Sequence, residues 1–412
     1  MYHGPGRGIF PSSTQLLPET LMLIRGASAL STLAQELKTL GRFALDTEFI
    51  REKTYRPQLC LIQVATPEKA ALIDPFALTD LTPFLELIFD PSVEKILHAG
   101  EQDMEIFFAM TRRIPANVFD TQVAAALSGR GESVSYARIV EELARTKLSK
   151  VETFTDWAKR PLTPEQIEYA LDDVRYLHTV QEALRKDLDS MGRLDWLRDE
   201  LRFYEERSHY EKDPSRLYLK IRSAAKLEPR ELAILRELAA WREAEAEAMD
   251  WPRGRILLDE VLVELARRAP VSFESIGAVR GIHPQLVKRC GAEILRRVAE
   301  AKKLEPSQLP PPIERRASDQ ELSLVVDLLE VVLRSRATEA QIAPTYLATR
   351  KDLTELARQE LRADRNVPAE PLPLLVGWRR RLAGDALLEL LKGRSHVAID
   401  AAKAQVEVVD RE

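Results

Sequence analysis

The spacing of apolar and polar positions changes character along the chain. In the first half, short apolar runs bounded by turn residues read as strands. Phe43, Ala44 and Leu45 lead without a turn residue into Asp46-Thr47-Glu48, so FALDTEF reads as a buried strand ending on two carboxylates. Side chains alternate along a strand, which puts Asp46 and Glu48 on one face and Thr47 on the other. LCLIQVA (59–65) and KAALIDP (69–75) follow, separated by Thr66-Pro67-Glu68, short enough for an antiparallel hairpin. VEKILHAG (93–100) is a further strand.

Helical spacing is interleaved with these runs. Residues 23–40 read as a short strand and an amphipathic helix, and EQDMEIFFAM (101–110) as a helix after Gly100. Another helix starts around Phe119-Asp120-Thr121 and runs through VAAAL, with Asp120 as its cap. In LTPEQIEYALDDVRYLHTV, Thr163 is an N-cap, Pro164 fits the first helical position and Gln166 completes a capping box. That start places Tyr169 and Asp173 four apart on one face, with Asp172 rotated away by about 100°. Strands and helices so mixed, with a hairpin at one side, predict an α/β region on a mixed sheet over 22–211.

From about residue 212 the strand signals stop. EPRELAILRELAAWREAEAEAMD, RILLDEVLVELARRA (255–269), ESIGAVRGI and QLVKRCGAEILRRVAEAKK are helical. LEPSQLPPPIERRAS reads as a stiff Pro-rich linker over 304–318, after which ELSLVVDLLEVVLRSRATEA restarts the helical pattern. RILLDEVLVELARRA is echoed by YLATRKDLTELARQE (346–360), and GAEILRRV (291–298) by GDALLELL (384–391), in the same order. The expectation is two copies of one small all-α unit, over 212–303 and 319–393, with 394–412 as a tail. The opening MYHGPGRGIFPSSTQLLPET has no apolar segment or cleavage site of a signal peptide and reads as a disordered extension over 1–21, with Met22 a candidate start.

Composition adds bounds. The 412 residues are 45% hydrophobic and 30% charged, enough for several cores. No apolar run reaches the roughly 18 residues of a membrane-spanning helix. Cys60 and Cys290 lie far apart in apolar or helical settings, which predicts a reducing compartment and a cytoplasmic protein. A net charge of -5 argues against non-specific coating of nucleic acid but leaves room for local basic patches.

The candidate chemistry is acidic. Asp46 and Glu48 share a strand end, Asp103 opens a helix after His98-Ala99-Gly100, and Asp173 lies beside Tyr169. Four carboxylates without a Cys or His cluster suit hard divalent cations, Mg2+ or Mn2+. Two such ions about 3.5–4 Å apart form a clamp for in-line displacement at phosphorus. Tyr169 can aim a water, and a phenol of pKa about 10 is better suited to orienting than to acting as a base.

DTEF, HAGEQD, FDTQ and YALDD, in this order and spacing, resemble the DEDD superfamily of 3′–5′ exonucleases, in the branch whose third motif is Tyr-x-x-x-Asp. TYRPQLCLIQVA, ALIDP and TDWAKRPLTPEQIEYA are similar to the ribonuclease D family, and the helical blocks to the helicase-and-RNase-D C-terminal domain present twice. The resemblance spans about residues 22 to 393. It implies an α/β ribonuclease-H-like exonuclease domain with a mixed sheet, followed by two small all-α domains. It implies Asp46, Glu48, Asp103 and Asp173 as ligands of two divalent cations, and Tyr169 as the residue orienting the hydrolytic water. It further implies a 3′–5′ exoribonuclease that acts on RNA with a single-stranded 3′ end, tRNA precursors above all, and releases 5′-mononucleotides. No membrane and no obligate protein partner is expected. A 3′–5′ DNA exonuclease and a non-catalytic RNA-binding adaptor are the alternatives; no G-x-x-x-x-G-K-[ST] loop supports a helicase.

For substrate contacts the candidates are Phe49 and His98 near the acidic motifs, and Lys150, Lys159 and Arg160 on the loop before the Tyr169 helix. Lys220, Arg222, Lys226, Arg253 and Arg255 are candidates in the first helical block. Asp74 before Pro75 reads as a turn residue.

Overall fold

A computed structural model of the chain describes residues 22–148, 156–313, 320–361, 372–402 and 405–410. Its first region runs β1 (Met22–Ile24), α1 (Ala27–Leu40), β2 (Arg42–Ile50), β3 (Gln58–Ala65), β4 (Ala70–Ile73), α2 (Thr82–Phe89), β5 (Glu94–Leu97), α3 (Glu101–Thr111), β6 (Val118–Asp120) and α4 (Thr121–Leu127). It continues with α5 (Tyr136–Leu143), α6 (Pro164–Arg175), α7 (Leu177–Ser190) and α8 (Leu194–Leu201). The sheet order is β1-β4-β3-β2-β5-β6. Only β3 runs against its neighbours, antiparallel to both β2 and β4, while β2–β5, β5–β6 and β1–β4 are parallel. A central strand covered on both faces must be apolar along its length. LCLIQVA meets that need at every position but Gln63, with Leu59 to Ala65 all buried.

One face of the sheet packs against α1, α2 and α3 through Phe43, Leu45, Ile62, Val64, Phe84 and Phe107. The other face meets the later helices through Ala44, Ala65, Leu61 and Leu72. β2 therefore sits mid-sheet between two cores, and its far end carries Asp46-Thr47-Glu48. A bulge between Glu48 and Phe49 shifts the pairing from Glu48↔Leu61 to Phe49↔Leu59 and bends the strand where the carboxylates lie.

The first region closes with α9 (Arg207–Tyr210), whose Tyr210 packs into the α1–α3 core, and the first helical block comprises α10 (Pro229–Met249), α11 (Arg253–Ile256), α12 (Asp259–Arg268), α13 (Phe273–Gly277) and α14 (Pro284–Lys302). The second has α15 (Gln320–Glu339), α16 (Pro344–Leu347), α17 (Arg350–Leu361), α18 (Gly377–Arg379), a π turn and α19 (Asp385–Leu391). Long helix, single turn, medium helix and closing helix recur in that order in both.

Two expectations need correction. The strand signals do not stop at 212: β7 (Ser395–Asp400) and β8 (Gln405–Asp410) form an antiparallel hairpin in the stretch read as a tail. The alternation in SHVAID and QVEVVD is the signal for it, and Ser335 Oγ donates to the Val406 carbonyl at 2.8 Å, tying the hairpin to α15. The Pro-rich stretch is also less of a spacer than its composition suggests. Leu304, Leu309 and Ile313 pack onto the core of the first block. Residues 314–318 of that stretch lie outside the described residues, as does the opening extension.

Candidate active site

Each acidic residue is placed by a local feature of the sequence. Asp46 and Glu48 project from one face of β2. Asp103 lies in the first turn of α3, entered through a tight turn in which Ala99 adopts φ 58° and Gly100 caps the helix. A Cβ on Gly100 would lie 2.6 Å from Leu97 Cδ2, so only glycine fits there. Asp173 comes from α6, whose start is fixed by the reciprocal bonds of Thr163 and Gln166, 3.2 and 2.8 Å long. Tyr169 precedes Asp173 by one helical turn and lies against Trp157, ring centroids 6.0 Å apart.

Carboxylate oxygens of Asp46, Glu48 and Asp173 lie within 4.8 Å of one another. Asp103 stands beside them rather than among them. Its Oδ1 accepts a short hydrogen bond from the Thr47 hydroxyl, which points to the opposite face of β2 from Asp46 and Glu48. The acidic centre thus straddles the strand end, three carboxylates on the α6 side and one on the α3 side.

Burial and mutual repulsion govern the protonation of this group. Burial, then the charges of Asp103, Asp173 and Glu48, hold the Asp46 carboxyl far above its ordinary range. Burial followed by Asp173 and Asp103 pushes Glu48 up to about 8. Burial and then Asp172 raise Asp173 to about 7. For Asp103 burial lifts the value to about 6, opposed by the bonds from Thr47. The Tyr169 phenol is pushed above its usual value by burial and the neighbouring carboxylates, so it stays protonated at neutral pH. Four carboxylates, Asp103 buried and the other three half-buried, that repel each other and carry only oxygen donors fit a hard divalent cation. Asp172 is engaged elsewhere, paired with Arg175 three residues on.

Two residues outside the acidic set organise it. Thr47 is the first. Asp120 is the second: its buried carboxylate accepts from the backbone of Ala99 (3.1 Å) and Gly100 (3.0 Å), from Gln122 N (2.7 Å), and from the Tyr204 hydroxyl (2.6 Å). Asp120 caps α4 as its spacing predicts, and it also holds the turn that presents Asp103. The D-T-E triplet offered a signal for Thr47, since its face was known; nothing in the sequence pointed from Asp120 to the Ala99 turn.

The proposed substrate contacts divide. His98 is engaged in the fold: Nδ1 lies 2.9 Å from Thr121 Oγ1 and Nε2 lies 2.9 Å from the Val134 carbonyl. No ring nitrogen remains for a nucleotide. Arg160 is likewise spent, bonding the buried Asp74 at 2.9 and 3.0 Å and the Cys60 carbonyl at 2.6 Å. Asp74 also closes its turn by accepting from Phe76 N at 3.1 Å. Phe49 is half-buried against the α1–α3 core, with Arg51 over its ring at 5.1 Å. Lys159, Lys220, Arg222 and Lys226 are exposed. Arg253 is bound to Glu243, and Arg255 stacks on Trp251 at 3.9 Å. Lys150 lies outside the described residues.

Comparison with known proteins places this arrangement. A family model described as 3'-5' exonuclease matches residues 22–189, and a second, described as HRDC domain, matches residues 231–298. Ribonuclease D of Gluconacetobacter diazotrophicus is 36% identical over 386 residues, covering 93% of this chain and 96% of that protein. Ribonuclease D of Acidiphilium cryptum is 38% identical, covering 94% and 97%. The crystal structure of Escherichia coli RNase D, an exoribonuclease involved in structured RNA processing, matches with a TM-score of 0.80 at 33% identity. That match covers 90% of this chain and 99% of the other. With identity of this order over nearly the full length of both chains, and with Asp46, Glu48, Asp103 and Asp173 gathered at one strand end, the chain belongs to the ribonuclease D family of 3′–5′ exoribonucleases.

Proposed function

We propose that the protein trims the 3′ ends of RNA, tRNA precursors among them, in the cytoplasm, releasing 5′-mononucleotides by hydrolysis supported by two divalent cations. The observation that carries this reading is the approach of Asp46, Glu48 and Asp173 to within 4.8 Å, with Asp103 adjacent. Asp46, Glu48, Asp103 and Asp173 would hold two Mg2+ or Mn2+ ions. When bound, the cations supply Lewis acidity for the attacking water and charge neutralisation at the leaving 3′ oxygen.

The chain's own residues do the rest. Tyr169, protonated and one turn before Asp173, donates or accepts a hydrogen bond that aims the water at phosphorus. Orientation of this kind lowers the barrier by removing rotational freedom before the reaction. Thr47 and the Asp120-held turn keep Asp103 in place. RNA reaches the site through local basic groups, with Lys159 beside the α6 helix and Lys220 and Arg222 on the first helical block, so affinity falls with salt.

The test is a time course on a 5′-labelled RNA with a single-stranded 3′ tail, alongside the matched DNA. A ladder shortening from the 3′ end with 5′-mononucleotide products is expected for RNA. Asp46→Asn and Asp173→Asn are each expected to abolish the ladder while RNA binding persists in a filter assay. Faster cleavage of DNA, or full turnover in either variant, overturns the reading.

A further inference from the structure

Gln63 lies in the middle of β3, the central strand, and is 0% exposed. Neither its Nε2 nor its Oε1 has a hydrogen-bond partner. In the β2–β3 ladder it pairs directly with Asp46, so the two side chains stand on the same face of the sheet. On its other flank the ladder partner is Leu72, which is apolar. α6, the helix that carries Tyr169 and Asp173, packs across β2, β3 and β4 and closes the space above.

A buried primary amide with both ends unsatisfied is costly, about 1–3 kcal/mol for each group left unpaired. Native proteins keep few of them, and each calls for a task. An aliphatic side chain would suit the packing between Leu61, Ala65 and Leu72. What the amide adds is a neutral N–H donor beside a carboxylate. Directly opposed residues in an antiparallel pair have Cβ atoms about 4.5–5.5 Å apart, well within the reach of a glutamine. Carboxylates that bind metal are regularly held by such outer hydrogen bonds, and removing one weakens the metal about 10- to 100-fold.

We propose that Gln63 is a positioning residue for Asp46: its amide, which bonds no group in this structure, would turn its N–H onto an Asp46 carboxylate oxygen when a cation is held there, and so fix Asp46 as a ligand. This rests on the divalent-cation reading of the acidic centre given above. Gln63 touches neither RNA nor water in the reaction. It acts through Asp46.

Calorimetric titration of Mn2+ into RNA-free, full-length protein tests the assignment, paired with thermal melts in chelator. Gln63→Met keeps the length and removes the amide; Gln63→Leu is a second apolar variant of different shape. Both are expected to weaken Mn2+ by about tenfold or more, with chelator Tm unchanged or raised because an orphaned amide has been removed. Wild-type Mn2+ affinity in the two variants overturns the assignment. So does a loss of chelator stability in both, since the amide would then serve the fold without any cation. Asp46→Asn in the same titration separates the two readings. If it binds Mn2+ as the wild type does, the cation site itself is misplaced; if it loses Mn2+ while Gln63→Met does not, only the role of Gln63 fails.

Discussion

The two helical blocks follow the same order of helices yet hold the exonuclease region by opposite means. The second block shares its core. Leu322, Val326, Leu329, Leu333, Leu374 and Trp378 lie in one cluster with Leu127, Val174, Leu184 and Leu197. Trp378 stacks on Trp196 with centroids 4.7 Å apart and donates from Nε1 to Glu200 at 2.8 Å. The first block keeps a core of its own and meets the exonuclease region through the loop that follows β2. There the Tyr55 hydroxyl donates to Glu243 at 2.5 Å, and Arg56 donates to Asp250 and Glu247, both at 2.9 Å. Arg112 adds a further pair with Glu247. An apolar seam is insensitive to salt and ties two regions into one folding unit, whereas a polar seam screens and opens at modest cost. The block attached by charge is also the one joined, through only a few residues of loop, to Glu48. Repetition of a fold therefore gives one block an apolar seam and the other a polar one.

The largest effect should come from cutting the apolar seam. Trp378 is 1% exposed, and Trp378→Ala should cost about 3–5 kcal/mol, with Glu200 losing a donor as well. In scanning calorimetry the exonuclease region and the second block should melt together, at a Tm lowered by roughly 10 °C. Separate melting of the second block, with the exonuclease transition unmoved, would break the comparison. Glu243→Ala attacks the polar seam and removes the shared acceptor of Tyr55 and Arg253. Arg253 is 40% exposed and can turn to water, so the cost should be nearer 1–2 kcal/mol. The expected signature is geometric: X-ray scattering should show a larger radius of gyration, which wild type approaches only in high salt. An unchanged radius would make the first block as fixed as the second.

Titration sharpens the contrast because the seams and the acidic centre respond with different signs. Glu243 is buried, which works against ionisation, but hydrogen bonds from Arg253 and Tyr55 outweigh that and hold its carboxyl below the usual range. Such a group contributes stability above its unfolded value, lost as pH falls through the folded one. The first seam should therefore loosen only below about pH 4. At the acidic centre the folded values are raised, to about 6, 7 and 8 for Asp103, Asp173 and Glu48. Stability from these groups is present in acid and lost as pH rises through the folded values. In chelator, Tm should fall as pH rises from about 4, where the unfolded carboxylates ionise, to about 8, and saturating Mn2+ should flatten that slope. A chelator Tm that rises over this window would contradict the repulsion on which the cation site depends. The Trp378–Trp196 stack holds no titratable group and should be silent throughout.

What was legible in the sequence follows the range of the forces involved. The α6 start was readable because Thr163, Pro164 and Gln166 act within one turn, and that start alone fixed Tyr169 and Asp173 on one face. The hairpin of β3 and β4 and the acidic strand end were equally local. The uses of His98 and Arg160 were not, since their partners Val134 and Asp74 lie 36 and 86 residues away in sequence. Neither a ring nor a guanidinium announces whether a fold will consume it. Gln63 was hidden for a similar reason: inside LCLIQVA it reads as one polar residue in a buried strand, and only the register with Asp46 gives it a meaning. The short β6 and the C-terminal hairpin were missed because brief alternating runs compete poorly with the helical pattern around them.

The smallest expected effect is also the most searching for the polar seam. Arg56 is 42% exposed, and its pair with Glu247 shares that carboxylate with Arg112. Arg56→Ala keeps the backbone N–H that donates to Asp250, and Glu247 keeps Arg112. The loss should be below about 1 kcal/mol and shrink further in salt, as for exposed ion pairs generally. A double-mutant cycle with Glu247→Ala should give a coupling near 0.5 kcal/mol. The value matters because a coupling above about 2 kcal/mol belongs to desolvated, mutually locked charges. The loop after Glu48 would then be clamped as firmly as Trp378 is, and the first block could not shift without disturbing the acidic strand end. A weak coupling leaves the block free to reorient on RNA while Asp46 and Glu48 stay where β2 puts them.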